Sequence, residues 1–283
     1  MTDTFGTRLA AAMDRHGPLC AGIDPHRSLV ESWGLSYDLA GLERFSLTCV
    51  EAFAGRVAAV KPQSAFFEVF GSKGVAVLER VLDELHEAGT LTILDVKRGD
   101  IGTTMAAYAE AFLGKDGSAP VDAITASPFL GYDSLRPAID LAAQTGRGLF
   151  VLALTSNPEG AAVQHAVHAG RSVAASIVDG ATVDNAVAHE RGELGSIGLV
   201  IGATVGSAVS DLGLDLRAAA SPVLAPGFGA QGGDVAALEA TFGPARRQVL
   251  ASSSRDILAA GPDPSRLVDA ATRTAETLAA WAG

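Results

Sequence analysis

"LTILDVKRGDIGTTMAAYAEAFLG", residues 91–114, holds one complete unit of the pattern that decides the fold. It opens as a short apolar run, passes through a charged turn and continues as an alanine-rich, helix-like segment. The apolar part is too short for a helix and too uniformly apolar for a half-exposed strand. That is how a strand buried on both faces of a parallel sheet reads. Seven similar runs share the chain: "LCAGID" (19–24), "VAAVK" (57–61), "VDAITAS" (121–127), "GLFVLALT" (148–155), "IGLVIGAT" (197–204), "PVLAPG" (222–227) and "QVLASSS" (248–254). Amphipathic stretches such as "GVAVLERVLDELHEAG" (74–89) lie between them.

Eight strand–helix units in 283 residues predict an α/β fold, a (β/α)8 TIM barrel, as one domain over 1–283. No Pro/Ser-rich linker divides the chain. One connection is wide: residues 156–196 read as an enlarged βα link with one long helix near 171–191. A doubly wound open sheet is the competing architecture, but no glycine-rich dinucleotide turn follows the first strand.

The net charge of −11, with no basic stripe, argues against nucleic acid as a partner. It also means that an anionic substrate must find its positive contacts locally. No run of about 18 apolar residues occurs, so no membrane span is expected. The polar, amphipathic start "MTDTFGTRLAAAMDRHG" carries no apolar signal core, and a cytoplasmic location is expected. Cys20 and Cys49 are the only cysteines and read as two buried thiols.

In a barrel of this kind the chemistry sits where strands end and loops begin. The polar residues at those ends are Asp24, Lys61, Asp95, Lys97, Ser127, Ser156 and Arg255. Residues i and i+2 of a strand share a side, so Asp95 and Lys97 face the barrel mouth together. Asp100 follows at the turn, where it could equally serve as an N-cap. With Lys61 the group holds two lysines and two aspartates, and burying such charge demands mutual pairing. Flanking carboxylates favour the ammonium form of Lys97, which suits a proton donor and not a Schiff-base nucleophile. The array therefore fits proton delivery to a carbanion-like centre.

"APGFGAQGG" (225–233) and "SSSRDI" (252–257) follow the last two strands, where such barrels commonly bind phosphate. Glycines allow backbone N–H groups to approach phosphate oxygens, and Gln231 and Arg255 offer side-chain donors. About 20 residues beyond the glycines stand Arg246 and Arg247 where a dinucleotide site would place an acid, which favours a phosphate monoester.

The pattern D-x-K-x-x-D-I at 95–101, with Lys61 ending the second strand, resembles the orotidine 5′-phosphate decarboxylase family. "SAFFE" (64–68), "SPFLGYDSLRP" (127–137) and "TSNP" (155–158) are similar to its longer bacterial branch, and the resemblance spans essentially the whole chain. It implies decarboxylation of orotidine 5′-phosphate to UMP and CO2 without metal or organic cofactor. Lys61, Asp95, Lys97 and Asp100 would form a charged tetrad, with Lys97 protonating C6 and Asp95 lying against the substrate carboxylate. Asp24 and Lys61 would hold ribose hydroxyls, Ser156 the pyrimidine, and Gln231 and Arg255 the phosphate. Asp100, Ile101 and Thr104 would reach into the neighbouring subunit's site, implying a homodimer. The chain departs from the shorter branch in the 156–196 connection and in a short loop around Gln231.

Two alternatives stand beside this. Metal-dependent 3-keto-gulonate phosphate decarboxylases and hexulose phosphate synthases share D-x-K-x-x-D but use an acid with Mg2+ in place of Lys61. A non-catalytic phosphate-ligand barrel would gain nothing from a costly charge cluster. His165 and His168, three apart, read as a solvated helix face and not as metal ligands. His26 is placed to line the site, Arg136 and Arg147 to serve surface or interface roles, and Trp33, Trp281, Phe66 and Phe67 to pack.

Overall fold

A computed structural model describes residues 3–115, 117, 120–229 and 232–283. Ten strands occur among them: β1 (Leu19–Ile23), β2 (Ala59–Pro62), β3 (Leu91–Arg98), β4 (Ala123–Ala126), β5 (Gly148–Leu154), β6 (Val167–His168), β7 (Arg171–Ser172), β8 (Ile197–Ile201), β9 (Val223–Pro226) and β10 (Val249–Ser253). Eight close into a parallel barrel in the order β1-β10-β9-β8-β5-β4-β3-β2. Each coincides with one of the eight apolar runs, and the open-sheet alternative is overturned by the β1–β10 pairing of Leu19, Cys20 and Ala21 with Ala251, Ser252 and Ser253.

Strand parity divides the core in two. Leu19, Ala21 and Ile23 of β1, for example, pack outward among the helices, while Cys20 joins an inner cluster with Ala59, Ile93, Ala123, Phe150, Val200, Leu224 and Leu250. The surrounding helices meet the outer face with apolar stripes at helical spacing: Gly71–Glu87 buries Gly74, Val77, Leu78, Val81, Leu82 and Leu85. The N-terminal helix Phe5–His16 stoppers the lower end, inserting Phe5, Leu9 and Met13 into the inner cluster. Phe5 meets Phe150 edge-on, with ring centroids 5.9 Å apart. Gly148 makes room for this, since a Cβ there would stand 2.3 Å from the Phe5 ring. Arg8 of the same helix pairs with Asp122, whose other oxygen accepts from the Thr92 N–H at 3.0 Å.

The connection at 156–196 differs from the single helix expected there. It holds a two-stranded antiparallel hairpin, β6–β7, then a helix Val173–Asp184 and a short one, Ala186–Glu190. Asn185 makes the break. Its buried amide donates to the Ile197 and Ala219 carbonyls and to Ser221, and its oxygen accepts from the Ile197 N–H. A helix-breaking side chain that ties three segments together outweighs the continuous helical periodicity. The helix Val173–Asp184 docks on the segment after β4: Tyr132 and Arg136 each donate to Asp184 at 2.7 Å. Gly180 lies flat under the Tyr132 ring, where a Cβ would come within 2.5 Å. Burial, and then the bond to Asp184, push the Tyr132 phenol well above its usual range. Arg136 therefore ties two segments of the fold together, and Arg147 likewise donates inward, to the Phe112 carbonyl at 2.8 Å.

Trp33 and Trp281 pack as expected, Trp33 stacking on Phe45 at 4.0 Å between centroids. The Phe66–Phe67 pair splits, with Phe67 fully buried and Phe66 turned toward His26. Cys20 and Cys49 are free and buried, and burial holds the Cys20 thiol up at about 12. His165 ends a short helix while His168 lies in the hairpin, so the two share no helix face. Among the described residues no cluster of three or more His, Cys, Asp or Glu is arranged to hold a metal ion. No helix among them is long and apolar enough to cross a membrane.

Candidate active site

The upper end of the barrel opens into a cavity of about 590 Å³. Its lining follows from strand parity. Continuing each inner column by two residues leads from Ala59 to Lys61, from Ile93 to Asp95 and Lys97, from Ala123 to Thr125, from Phe150 to Leu152, and from Leu250 to Ser252 and Ser254. The columns of β2, β3, β4 and β10 thus change from apolar to polar over one or two steps, while that of β5 stays apolar at Leu152. Asp24, His26, Gln63, Phe66, Thr155, Val200, Leu224, Pro226, Phe228 and Arg255 complete the wall. A larger hollow of about 690 Å³ lies at the other end, beside the N-terminal helix, and contains none of these charges.

Asp95 is the hub. Its Oδ2 accepts from Lys61 Nζ at 3.0 Å, and its Oδ1 accepts from Lys97 Nζ at 2.6 Å and from Thr125 Oγ1 at 2.8 Å. Lys61 Nζ also stands 3.9 Å from Asp24 Oδ1. Burial disfavours the Asp95 carboxylate, but Lys61 and Lys97 outweigh it and hold the group down at about 2. Burial likewise disfavours the Lys61 ammonium, and Asp24 and Asp95 outweigh it in turn, so its pKa is raised. Both are only 8% exposed in their side chains, whereas Lys97 is 47% exposed and reaches up into the cavity.

The backbone at this point is unusual. Lys97 has φ +45°, in the left-handed region where non-glycine residues are strained, and the β3–β4 register slips between Leu94 and Arg98. Gln63, at the end of β2, bridges to Asp95 from the other side, its amide donating to the Asp95 carbonyl at 3.3 Å. Thr125 and Gln63 escaped the sequence reading. The signal for Thr125 was its parity: it stands two residues beyond an inner-facing alanine at the end of an otherwise apolar run.

Of the expected site residues, the structure gathers Asp24, Lys61, Asp95, Lys97 and Arg255 around one cavity. Asp100, Ile101 and Thr104 lie on the rim outside it, with Ile101 61% exposed. Asp100 is not the N-cap of the following helix; that position is Ile101, whose N–H the Asp100 carboxylate accepts at 2.7 Å. Ser156 is exposed just beyond the wall, and Thr155 lines it, fixed by Gln164 and Asn157. Gln231 lies outside the described residues. Three of the neighbouring glycines, Gly229, Gly232 and Gly233, spend their N–H groups on bonds within the loop itself at 2.7–3.0 Å. Gly229 is obligatory, since its φ is +85° and a Cβ would strike Asp256 at 1.9 Å. Arg255 thus supplies the charge at this end. His26 also lines the wall; burial and Arg255 lower its pKa against the pull of Asp24.

Two buried oxygens at the wall, Asp24 Oδ1 and Ser254 Oγ, have no hydrogen-bond partner among the described residues. Buried polar atoms are almost always satisfied, so a pair of orphans facing one cavity marks where hydroxyls or amides of a ligand belong. The arrangement can therefore hold a polar, anionic molecule against an apolar floor and present one ammonium to it.

Residues 17–271 match the model of the orotidine 5′-phosphate decarboxylase / HUMPS family. The curated orotidine 5′-phosphate decarboxylase of Streptomyces coelicolor is 57% identical over 275 residues, covering 96% of each chain. A crystal structure from Streptomyces avermitilis, described as an orotidine 5′-phosphate decarboxylase, superposes with a TM-score of 0.94 at 56% identity, covering 99% of this chain and 96% of that one. A Leishmania donovani OMP decarboxylase structure gives 0.74 at 30% identity, with 99% of both chains covered.

Proposed function

The chain belongs to the orotidine 5′-phosphate decarboxylase / HUMPS family, and from that premise we propose how it converts orotidine 5′-phosphate to UMP and carbon dioxide. The C6–carboxylate bond breaks, its electron pair stays on C6, and the Lys97 ammonium transfers a proton to that carbon. Lys97 recovers its proton from solvent, to which it is open. The observation that carries this assignment is the closed Lys61–Asp95–Lys97 array, which aims one exposed ammonium into the cavity and keeps the other buried.

An ammonium fixed beside C6 stabilises negative charge that develops only as CO2 departs, so it favours the transition state over the ground state. Asp95, kept ionised by its two lysines, faces the substrate carboxylate and relaxes as that group leaves. Asp24 and Lys61 take ribose hydroxyls, a reading supported by the Asp24 oxygen that pairs with Lys61 but lacks a hydrogen bond among the described residues. Arg255 and Gln231 take the phosphate, far from the reacting carbon, where binding can order the site. Ser156 contacts the pyrimidine from the rim.

The active form is a homodimer with Asp100, Ile101 and Thr104 completing the neighbour's site. Two features favour this: those residues stand outside their own cavity, and Ile101, Phe129 and Leu130 expose 53–78% of their surface on one rim. The enzyme works in the cytoplasm, needs no metal or organic cofactor, and folds as a single domain.

The test is to mix metal-stripped protein with orotidine 5′-phosphate and follow the orotate ultraviolet band, with Lys97→Ala alongside. Fast loss of the band by wild type, indifferent to EDTA and abolished in the variant, is expected. Turnover of a sugar phosphate only on adding Mg2+ would instead place the chain with its metal-dependent relatives.

A further inference from the structure

The Thr125 hydroxyl occupies a position that the reaction above does not use. It is buried, with 1% of the residue exposed, and it makes two bonds at once. It donates to Asp95 Oδ1 at 2.8 Å and accepts from the Lys97 backbone N–H at 2.9 Å. Lys97 Nζ closes the circuit on the same Asp95 oxygen at 2.6 Å. The ring therefore runs from hydroxyl to carboxylate to ammonium and back through the lysine's own amide. It encloses the residue with φ +45° at the register slip between β3 and β4.

A left-handed non-glycine residue is strained and persists only where its surroundings over-determine it. An extended conformation would turn the Lys97 side chain by continuing the strand, and would pair its N–H with the β4 backbone. Here the β4 side chain substitutes for the missing ladder bond, and the bulge it sustains lets Lys97 fold back over Asp95, two residues earlier. We infer that Thr125 is a positioning residue for the decarboxylation: its hydroxyl clasps the bulge so that Asp95 and the Lys97 ammonium are held in one fixed relation. Threonine suits the task because its β-branch leaves few rotamers, and only a hydroxyl both donates and accepts from one atom. This rests on the assignment of Lys97 as proton donor.

The experiment compares Thr125→Val, which keeps the shape and deletes the hydroxyl, with Thr125→Ser, which restores it. Rates are expressed per UMP-binding site, so that only folded sites are counted. In Thr125→Val, kcat should fall about 10–100-fold, as expected for a reacting group displaced by a fraction of an ångström to one ångström. KM and UMP affinity should stay within about threefold, and Thr125→Ser should recover most of the rate. The Lys97 amide should exchange with deuterium faster in Thr125→Val than in wild type and return toward wild type in Thr125→Ser, a readout independent of turnover. Wild-type kcat per site in Thr125→Val, or unchanged exchange at Lys97, overturns the clasp. Failure of the wild-type protein to consume orotidine 5′-phosphate would instead overturn the reaction assignment, leaving the exchange result to judge the clasp alone.

Discussion

Replacing Lys61 by methionine tests whether the charges at the barrel mouth are held by one another. Methionine keeps the apolar stem and removes the ammonium that stands 3.0 Å from Asp95 and 3.9 Å from Asp24. Asp95 then retains only Lys97 and Thr125, and Asp24 loses its ion-pair partner among the described residues. Removing one member of a buried pair costs about 3–5 kcal/mol, because the other charge stays desolvated. For a chain of this size that is a fall in Tm of roughly 6–20 °C at neutral pH. The pH dependence is the sharper signature. In wild type, Asp95 is held at about 2, below the ordinary 3.8, so it stabilises the fold above that value and the contribution fades as pH falls toward 2. In Lys61→Met the burial of Asp95 is offset by Lys97 alone, and its folded pKa rises. Raised carboxyls stabilise at low pH and lose that contribution as pH climbs. The stability gap should therefore be full at neutral pH and narrow as pH falls through the variant's raised carboxyl toward 2, where the wild-type contribution of Asp95 is itself lost. Thermal or urea unfolding of both proteins from about pH 2 to 8 measures it, and turnover at neutral pH should drop at least about 100-fold in parallel. A gap that stays constant with pH, or a more stable variant, would refute the pairing argument.

Four other outcomes follow from the same geometry. Unfolding free energy of wild type should lose about 2 kcal/mol between pH 4 and pH 2 through Asp95, and the slope should be shallower in Asp95→Asn. Arg255→Ala should raise KM for orotidine 5′-phosphate by about 10–100-fold, while the nucleoside lacking phosphate should be processed equally by both proteins. Asp122→Ala, at the opposite end of the barrel, should lose about 2–4 kcal/mol in urea titration with kcat unchanged, because it removes the partner of Arg8 and the Thr92 N–H. Mixing inactive Lys97→Ala with inactive Asp100→Ala should restore about a quarter of wild-type activity if Asp100 serves the neighbour's site, since half of randomly assorted dimers carry one intact site. No recovery after exchange of subunits would place Asp100 in its own site.

The strands were readable because both their faces are buried, which leaves uninterrupted apolar runs such as Leu149–Val151 with no other physical home. The charged columns were readable for a related reason: Lys61 and Asp95 are too expensive to bury without a task, and a period of two put them on one wall. What escaped depends on contacts between distant segments. The helix expected over 171–191 breaks at Asn185 because of partners at 197, 219 and 221, which no local pattern displays. Thr125 looked like an ordinary strand residue because its partners lie on the adjacent strand, and the left-handed Lys97 is set by that pairing and not by its own preference. The loop glycines misled in the other direction: they allow a tight turn whose N–H groups bond to the loop itself.

The tie from Tyr132 and Arg136 to Asp184 bears on how this barrel can be recombined with shorter ones. The long connection after β5 is not an ornament that could be excised at its ends. Its main helix uses as its seat the segment that follows β4, down to the flat glycine beneath the tyrosine ring. A chimera that takes the insertion without that segment inherits a helix with nowhere to land, and one that deletes it strands a phenol and a guanidinium built to meet a carboxylate. The two pieces form a single structural module whose ties span 48 and 52 residues of sequence, and loop grafts in this scaffold should move them together.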